Sequence, residues 1–152
     1  MVELRYTLRP AEKTDFEFLY RLKAECLREY VEEIWGWDEA YQRQHFTRSF
    51  DPTRMQIIVC HDHDVGALSI EDKGFERYLA GFYIMPDWQN RGLGTTILQD
   101  VIERLRAPGI PVRLQVLKVN PARRLYERLG FEIYDESDTH YLMETNDPNF
   151  AT

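Results

Sequence analysis

The middle of the chain runs from a strand pattern through a helix pattern into a second strand pattern. Residues 77–85 form a nearly continuous apolar run, which predicts a strand buried on both faces. Residues 93–105 carry apolar side chains at three- and four-residue spacing, which is typical of an amphipathic helix. Residues 112–116 alternate apolar and polar side chains and predict another strand. A strand, a helix and a strand in this order favour a right-handed crossover with parallel strands, and hence an α/β fold.

The segments on either side of this unit extend the mixed pattern. Strands are predicted at residues 4–8, 55–61, 65–71, 131–134 and 140–144, and helices at residues 11–34, 39–48 and 121–129. A hairpin turn is predicted at residues 62–64, although an Asn-Gly or Asp-Gly pair is missing there. The chain of 152 residues is 43% hydrophobic, which is enough for one core. We therefore expect a single domain over residues 1–152, with a mixed, mostly antiparallel sheet.

Composition and charge argue against several classes of protein. The formal net charge of −7 disfavours a general nucleic-acid binder. The longest apolar run, residues 78–85, is too short to span a membrane. Residues 1–10 lack the apolar stretch of a signal peptide, so a cytoplasmic location is expected. The two cysteines, Cys26 and Cys60, belong to no CxxC pair, and neither a zinc site nor a disulfide framework is expected.

The loop between the apolar strand and the amphipathic helix has the features of an anion site. Backbone N–H groups at a helix N-terminus lack internal partners and carry the positive end of the helix dipole. Gly92 and Gly94 remove side chains that would keep an anion from the backbone, and Arg91 adds a permanent positive charge. This combination favours a phosphate or pyrophosphate ligand at residues 85–96.

Two familiar phosphate-binding motifs do not match this loop. A nucleotide P-loop needs Gly-Lys-Ser/Thr, but Gly94 is followed by Thr95 without a lysine. A dinucleotide fingerprint needs a third glycine where Ile97 stands. An ordinary strand-to-helix turn would also explain two glycines at this spacing.

Two sequence motifs in the same order resemble one enzyme family. Residues 89–94, Gln-Asn-Arg-Gly-Leu-Gly, resemble the Gln/Arg-x-x-Gly-x-Gly/Ala motif of the GCN5-related N-acetyltransferase (GNAT) superfamily. Residues 120–131 resemble its second signature, an Asn-led helix with a Leu-Tyr pair that ends in Gly-Phe. The resemblance implies an acyl-CoA N-acyltransferase fold and an enzyme that transfers an acetyl group from acetyl-CoA to an amine. A non-catalytic acyl-CoA sensor or interaction module is the alternative.

The resemblance also implies roles for individual residues. The residues assigned to acetyl-CoA are Phe82, Tyr83, Ile84, Gln89, Asn90, Arg91, Gly92, Leu93, Gly94, Thr95, Asn120 and Arg123. The amides of the glycine loop would bind the pyrophosphate. Pantetheine would pair with the first of the two parallel strands, where it splays from residues 112–117. Gly81 would ease a bulge there or simply allow close packing. Tyr126 would be the general acid that protonates the departing thiolate.

Three of these residues also have plain structural explanations. Asparagine followed by proline is a favourable start for a helix, so Asn120 could act as an N-cap. Arg123 could be a solvated surface side chain, and Tyr126 could bury its ring while its hydroxyl meets water. Six residues separate Asn120 from Tyr126, where seven are commoner in the family.

The acceptor end of the site is expected near the first helices. Trp35 and Trp37 flank Gly36 beside several carboxylates, a composition that suits a cationic amine. Core aromatics beside a solvated acidic face would produce the same pattern. The resemblance implies a small-molecule or peptide amine as the acceptor, no metal, and a fold in which homodimers are common. Four candidates for the general base are Glu29, Glu33, Glu71 and His140, and the sequence assigns none of them.

Overall fold

The computed structural model describes residues 5–146 and confirms the mixed α/β fold. The strands are β1 (Tyr6–Pro10), β2 (Met55–Cys60), β3 (His63–Asp72), β4 (Arg77–Ile84), β5 (Val112–Leu117), β6 (Glu132–Glu136) and β7 (His140–Thr145). The helices are α1 (Phe16–Trp35), α2 (Glu39–Ser49), α3 (Leu93–Leu105) and α4 (Arg123–Arg128). The strands are hydrogen-bonded in the order β1-β2-β3-β4-β5-β7-β6, and β4 and β5 are parallel. The predicted strand–helix–strand unit is therefore β4, α3 and β5.

Several helix and strand boundaries differ from the prediction. The first strand begins at Tyr6, and the predicted residue 4 lies outside the described part of the chain, as do both ends of the predicted domain. The long first helix is split, because a 3₁₀ turn at Lys13–Asp15 precedes α1. The hairpin turn predicted at residues 62–64 is wrong. His61 and Asp62 form it, with φ angles of 51° and 64°. A two-residue hairpin needs this left-handed backbone, which histidine and aspartate adopt more readily than most residues.

Strand β4 is less buried than its apolar run predicts. Leu79 and Ile84 are buried and Ala80 is exposed. Residues 77, 78 and 81–83 are half-buried. A strand covered on both faces is typical of parallel sheets. Within the described residues, only Arg77 and Tyr78 of β4 pair with β5, in parallel orientation. The prediction of burial on both faces is therefore wrong for most of the strand.

The chain divides into two compact units, each with its own buried side chains. The first comprises the residues up to Ser69 together with Gly81–Arg91, and the second comprises Ile70–Ala80 and the residues from Gly92 onward. In the first unit, the buried residues include Leu19, Tyr20, Leu22, Phe46, Ile57 and Ala67. In the second unit, they include Leu93, Ile97, Leu98, Val101, Ile102, Val112, Leu114 and Met143. Across residues 5–146, no helix has both the length and the apolar surface needed to cross a bilayer.

An ion pair joins β1 to the turn before α1, and we expect it to make stability depend on pH. The two terminal nitrogens of Arg9 donate to the two carboxylate oxygens of Asp15 at 3.0 and 2.9 Å. Hydrogen bonding by Arg9 is the main reason that the pKa of Asp15 lies below its ordinary value of 3.8. Asp15→Asn should therefore lower the free energy of unfolding at neutral pH by about 1–2 kcal/mol.

The sign of the pH dependence follows from the lowered pKa. Because the folded-state pKa of Asp15 lies below the unfolded value, the stabilisation is complete above about pH 4 and disappears as the pH falls through the folded-state pKa. Urea unfolding at neutral and acidic pH should show that the difference in unfolding free energy between wild type and Asp15→Asn becomes smaller in acid. Asp64→Asn is the control, because Asp64 contacts the same arginine but is 39% exposed, and its effect should be below about 1 kcal/mol. An equal difference in unfolding free energy at both pH values would show that the ion pair with Arg9 does not cause the pH dependence.

Candidate functional site

The residues predicted to form the site fall in both compact units, so each group is described within its own unit. The first unit contains Phe82, Tyr83, Ile84, Gln89, Asn90 and Arg91, and also the predicted acceptor region. The second unit contains Gly92, Leu93, Gly94, Thr95, Asn120, Arg123 and Tyr126.

In the first unit, three hydrogen bonds fix the end of β4. The carbonyl oxygen of Ile84 accepts from Cys26 Sγ of α1 at 3.1 Å and from the side-chain amide of Gln89 at 2.8 Å. The next backbone N–H, that of Met85, donates to the carbonyl oxygen of Val65 in β3 at 2.7 Å. Both polar groups of one peptide unit therefore have partners, and the chain leaves the strand in a defined direction.

The backbones of β3 and β4 come unusually close beside this point. A Cβ atom at Gly66 would overlap the carbonyl oxygen of Tyr83 and would lie 3.3 Å from the Cα of Ile84. A Cβ atom at Gly81 would lie 3.1 Å from the ring of Tyr83. Gly81 therefore makes room for a side chain, which supports the close-packing explanation of this glycine.

Trp88 lies at the centre of a cluster at the start of the loop. The rings of His61 and His63 lie 6.2 and 6.1 Å from the Trp88 ring. The guanidinium of Arg91 lies 5.0 Å from the same ring, within the range of a cation–π contact. The positive charge predicted for the loop is thus held against an aromatic side chain, yet it remains exposed.

The loop that leads into α3 presents unpaired backbone donors. Within residues 5–146, the N–H groups of residues 92–95, in the second unit, have no backbone acceptor, and the first such bond of this segment runs from Thr96 to the carbonyl oxygen of Gly92 at 3.1 Å. Asn90 and Gly92 have φ angles of 62° and 82°, which turn the backbone sharply before the helix. A Cβ atom at Gly92 would have open space around it, so the need for glycine there is conformational. Unpaired donors at a helix N-terminus fit a pyrophosphate.

In the second unit, Asn120 has a capping role, although its position differs from the prediction. Its side-chain oxygen accepts from the backbone N–H of Ala122 at 2.9 Å. Helix α4 begins only at Arg123, with Ala122 in the cap position. Asn120 therefore caps the turn that precedes α4, and the predicted helix start at residue 121 is two residues early.

Tyr126 is anchored inside the second unit. Its side chain is 8% exposed, and its ring packs edge-on against Phe131 at a centroid distance of 5.8 Å. Arg123, one helical turn earlier, contacts Glu127 at 3.2 Å and lies 5.0 Å from the ring of Tyr141. The tyrosine is thus held rigidly, and the arginine already has partners within its own unit.

A cleft along α1 lies beside the predicted acceptor region. It has a volume of about 510 Å³ and is lined by Ala24, Glu25, Arg28, Glu29, Glu32 and Pro86. Of these, Glu29 and Glu32 belong to the acidic stretch before Trp35 that the sequence assigns to the acceptor end, and Glu29 is also a candidate base. Ala24, Glu25, Arg28, Glu29 and Glu32 recur at three- and four-residue spacing on one face of α1, which is the signal that could have found them, whereas Pro86 comes from the turn after β4.

The two tryptophans have different surroundings, and Trp37 lines a small cavity beside α1 together with Tyr20 and Phe46. Trp35 is 59% exposed. Trp37 donates from its indole nitrogen to Glu39 at 2.9 Å, and the guanidinium of Arg28 lies 5.6 Å from its ring. Hydrogen bonds from Trp37 and Tyr20 lower the pKa of Glu39. Neither tryptophan lines the cleft, and neither is a core residue.

The other candidate bases have different surroundings. Glu33 is exposed on α1, and Glu71 lies 3.9 Å from Lys73. His140 is half-buried, and its Nδ1 lies 2.8 Å from the hydroxyl of Thr139. Burial lowers the pKa of His140, so its imidazole is neutral at neutral pH. Among the described residues, no three His, Cys, Asp or Glu side chains come together as metal ligands would.

Comparison with known proteins identifies a family and a fold for the chain. The profile of a family described as "Acetyltransferase (GNAT) family" matches residues 16–131. The PaiA N-acetyltransferase of Thermoplasma acidophilum, solved in complex with coenzyme A, has the same fold with a TM-score of 0.75. The two are 17% identical, and the match covers 94% of this chain and 99% of that one.

Two curated relatives match part of the chain. The mycothiol acetyltransferase of Thermobifida fusca is 42% identical over 83 residues, which are 53% of this chain and 24% of that protein. The L-methionine sulfoximine/L-methionine sulfone acetyltransferase of Pseudomonas paraeruginosa is 32% identical over 108 residues, 64% of this chain and 58% of that protein. The chain thus spans less than two thirds of the length of either relative.

Proposed function

Because the chain belongs to the acetyltransferase (GNAT) family, we propose that it is an N-acetyltransferase that transfers an acetyl group from acetyl-CoA to a primary amine by direct attack. Residues 1–152 would act as one catalytic domain. The two relatives named for mycothiol and for methionine sulfoximine or sulfone favour a small-molecule acceptor over a peptide.

The observation that carries this proposal is the row of N–H groups without a backbone acceptor at residues 92–95. A pyrophosphate accepts several hydrogen bonds, and the helix dipole of α3 favours its negative charge. Arg91 adds an exposed cation to the same loop. Gln89 and Thr95 belong to the same motif, and Asn120 and Arg123 are the further contacts that we assign to acetyl-CoA.

The pantetheine arm is assigned to the second half of β4. Phe82, Tyr83 and Ile84 follow the residues that pair with β5, because the parallel register is found at Arg77 and Tyr78. Backbone groups of this segment other than the carbonyl of Ile84, which already accepts from Cys26 and Gln89, would hydrogen-bond the amides of pantetheine as a neighbouring strand would. One N–H of this segment would also stabilise the oxyanion of the tetrahedral intermediate.

The reaction needs two proton transfers. The neutral amine attacks the thioester carbonyl carbon, the C–S bond breaks, and Tyr126 donates its phenolic proton to the departing thiolate. The nitrogen of the intermediate loses its proton to a base, directly or through water. Glu29 lines the cleft on α1, and His140 is held neutral by burial, so these two are the best supported of the four candidates.

A thermal-shift assay tests the proposal. Acetyl-CoA at about 100 times its Kd should add roughly 2.7 kcal/mol of stability, which corresponds to a Tm rise of about 5–10 °C. CoA should produce a similar rise, whereas ATP and NAD should produce little. Thiol release in the presence of a panel of amines then separates an enzyme from a non-catalytic acyl-CoA sensor. If neither CoA compound shifts the Tm at saturating concentration, the proposed function is wrong.

A further inference from the structure

We propose that Cys26 and Gln89 are positioning residues for acetyl-CoA, which act together by holding the carbonyl group of Ile84. This inference rests on the proposed function, since Ile84 matters for catalysis only if pantetheine binds along β4. Neither side chain needs to touch the cofactor. Each acts through the backbone of the strand to which the cofactor would bind.

The geometry is that of one acceptor shared by two donors. The Ile84 oxygen lies 3.1 Å from Cys26 Sγ and 2.8 Å from Gln89 Nε2. Cys26 comes from α1, 58 positions earlier in the chain, and Gln89 comes from the loop only five positions later. Together with the bond from Met85 to Val65, they fix the orientation of the peptide plane at the exit of the strand.

The thiol is suited to this role because it stays protonated. Burial is the main cause that raises the pKa of Cys26 to about 11, so the S–H group remains a donor throughout the neutral range. A thiol is a weak donor, however, and the amide of Gln89 contributes the stronger of the two bonds. Losing one donor leaves the carbonyl partly satisfied, whereas losing both leaves a polar group without either partner.

Helix α1 also lines the cleft beside the predicted acceptor region. Glu25 and Glu29 line that cleft, and Cys26 follows Glu25 directly in the same helix. The contact between Cys26 and Ile84 therefore ties the helix on the acceptor side to the strand on the cofactor side, and both belong to the first compact unit.

The experiment measures the Kd of acetyl-CoA by isothermal titration calorimetry for wild type, Cys26→Ala, Cys26→Ser, Gln89→Ala and the Cys26→Ala/Gln89→Ala double variant. Each alanine change alone should weaken binding by about 2–5-fold, and the double variant by about 50-fold or more, which exceeds the product of the single effects. Cys26→Ser keeps a donor and should bind within about twofold of wild type.

Cys60→Ala is the matched control, because Cys60 is a buried cysteine of β2 in the same unit. It should lower the Tm and leave the Kd unchanged. The inference is overturned if the fold increase in Kd of the double variant equals the product of the two single increases. It is also overturned if Cys26→Ser binds acetyl-CoA as weakly as Cys26→Ala. If the double variant does not fold, the comparison of serine with alanine at position 26 decides. A wild-type protein that fails to bind acetyl-CoA overturns the proposed function as well.

Discussion

Replacing Tyr126 by phenylalanine is expected to lower kcat by about 10²–10⁴-fold while the Kd for acetyl-CoA changes by less than about twofold. The variant loses a hydroxyl group and keeps the aromatic ring. That ring packs edge-on against Phe131 at 5.8 Å, and phenylalanine preserves this contact. Since the backbone and the buried surface stay the same, the loss should appear in the proton transfer to the thiolate. Thiol release with an amine that the wild type accepts measures it.

Tyr134→Phe is the control for this experiment. Tyr134 lies on β6 and is 43% exposed, so removal of its hydroxyl should leave turnover unchanged. Full activity in the Tyr126 variant would disprove the role as general acid. A large loss of stability in that variant, without a loss of turnover per folded molecule, would instead favour a purely structural role in the second unit.

Replacing Gly66 by alanine should have the largest effect on stability. The added Cβ would overlap the carbonyl oxygen of Tyr83, and a backbone atom cannot move aside as a side chain can. Overpacking of this kind costs about 3 kcal/mol, the upper part of the usual range, and should lower the Tm by about 6–12 °C. Thermal unfolding followed by circular dichroism measures the change. The affinity for acetyl-CoA should fall too, because the displaced atoms belong to the strand assigned to pantetheine.

Gly81→Ala is the matched comparison. There the added Cβ meets only the outer edge of the Tyr83 ring at 3.1 Å, which a small rotation can relieve. The expected change is below about 1.5 kcal/mol. Equal losses for Gly66→Ala and Gly81→Ala would show that the close approach of the two backbones has no special importance.

The fold and the backbone geometry of the loop before α3 could be predicted because their signals lie in neighbouring stretches of sequence. The bounds of α3 agree with the prediction at both ends, since apolar spacing defines its buried face and Pro108 and Gly109 lie just beyond it. The parallel pairing of β4 with β5 follows from the order of elements. The unpaired donors at residues 92–95 follow from placing glycines between a strand and a helix.

The contacts that hold the site together could not be predicted from the sequence. The bond between Cys26 and Ile84 joins residues 58 positions apart, and a single cysteine in a helix gives no sign of its partner. The cleft along α1 was predicted only in part, because Glu25 and Arg28 look like a solvated helix face. The hairpin turn was misplaced because His61 and Asp62 lack the usual Asn-Gly chemistry.

The two faces of helix α1 differ in how many substitutions they can accept. Its buried face carries Leu19 and Leu22, and its cleft face carries Glu25 and Glu29. Substitutions on the cleft face alter the charge and shape of the groove without opening a cavity in the core. Single substitutions of exposed residues can therefore change which molecules fit the cleft, while Cys26 on the same helix keeps its hydrogen bond to Ile84 at the end of β4.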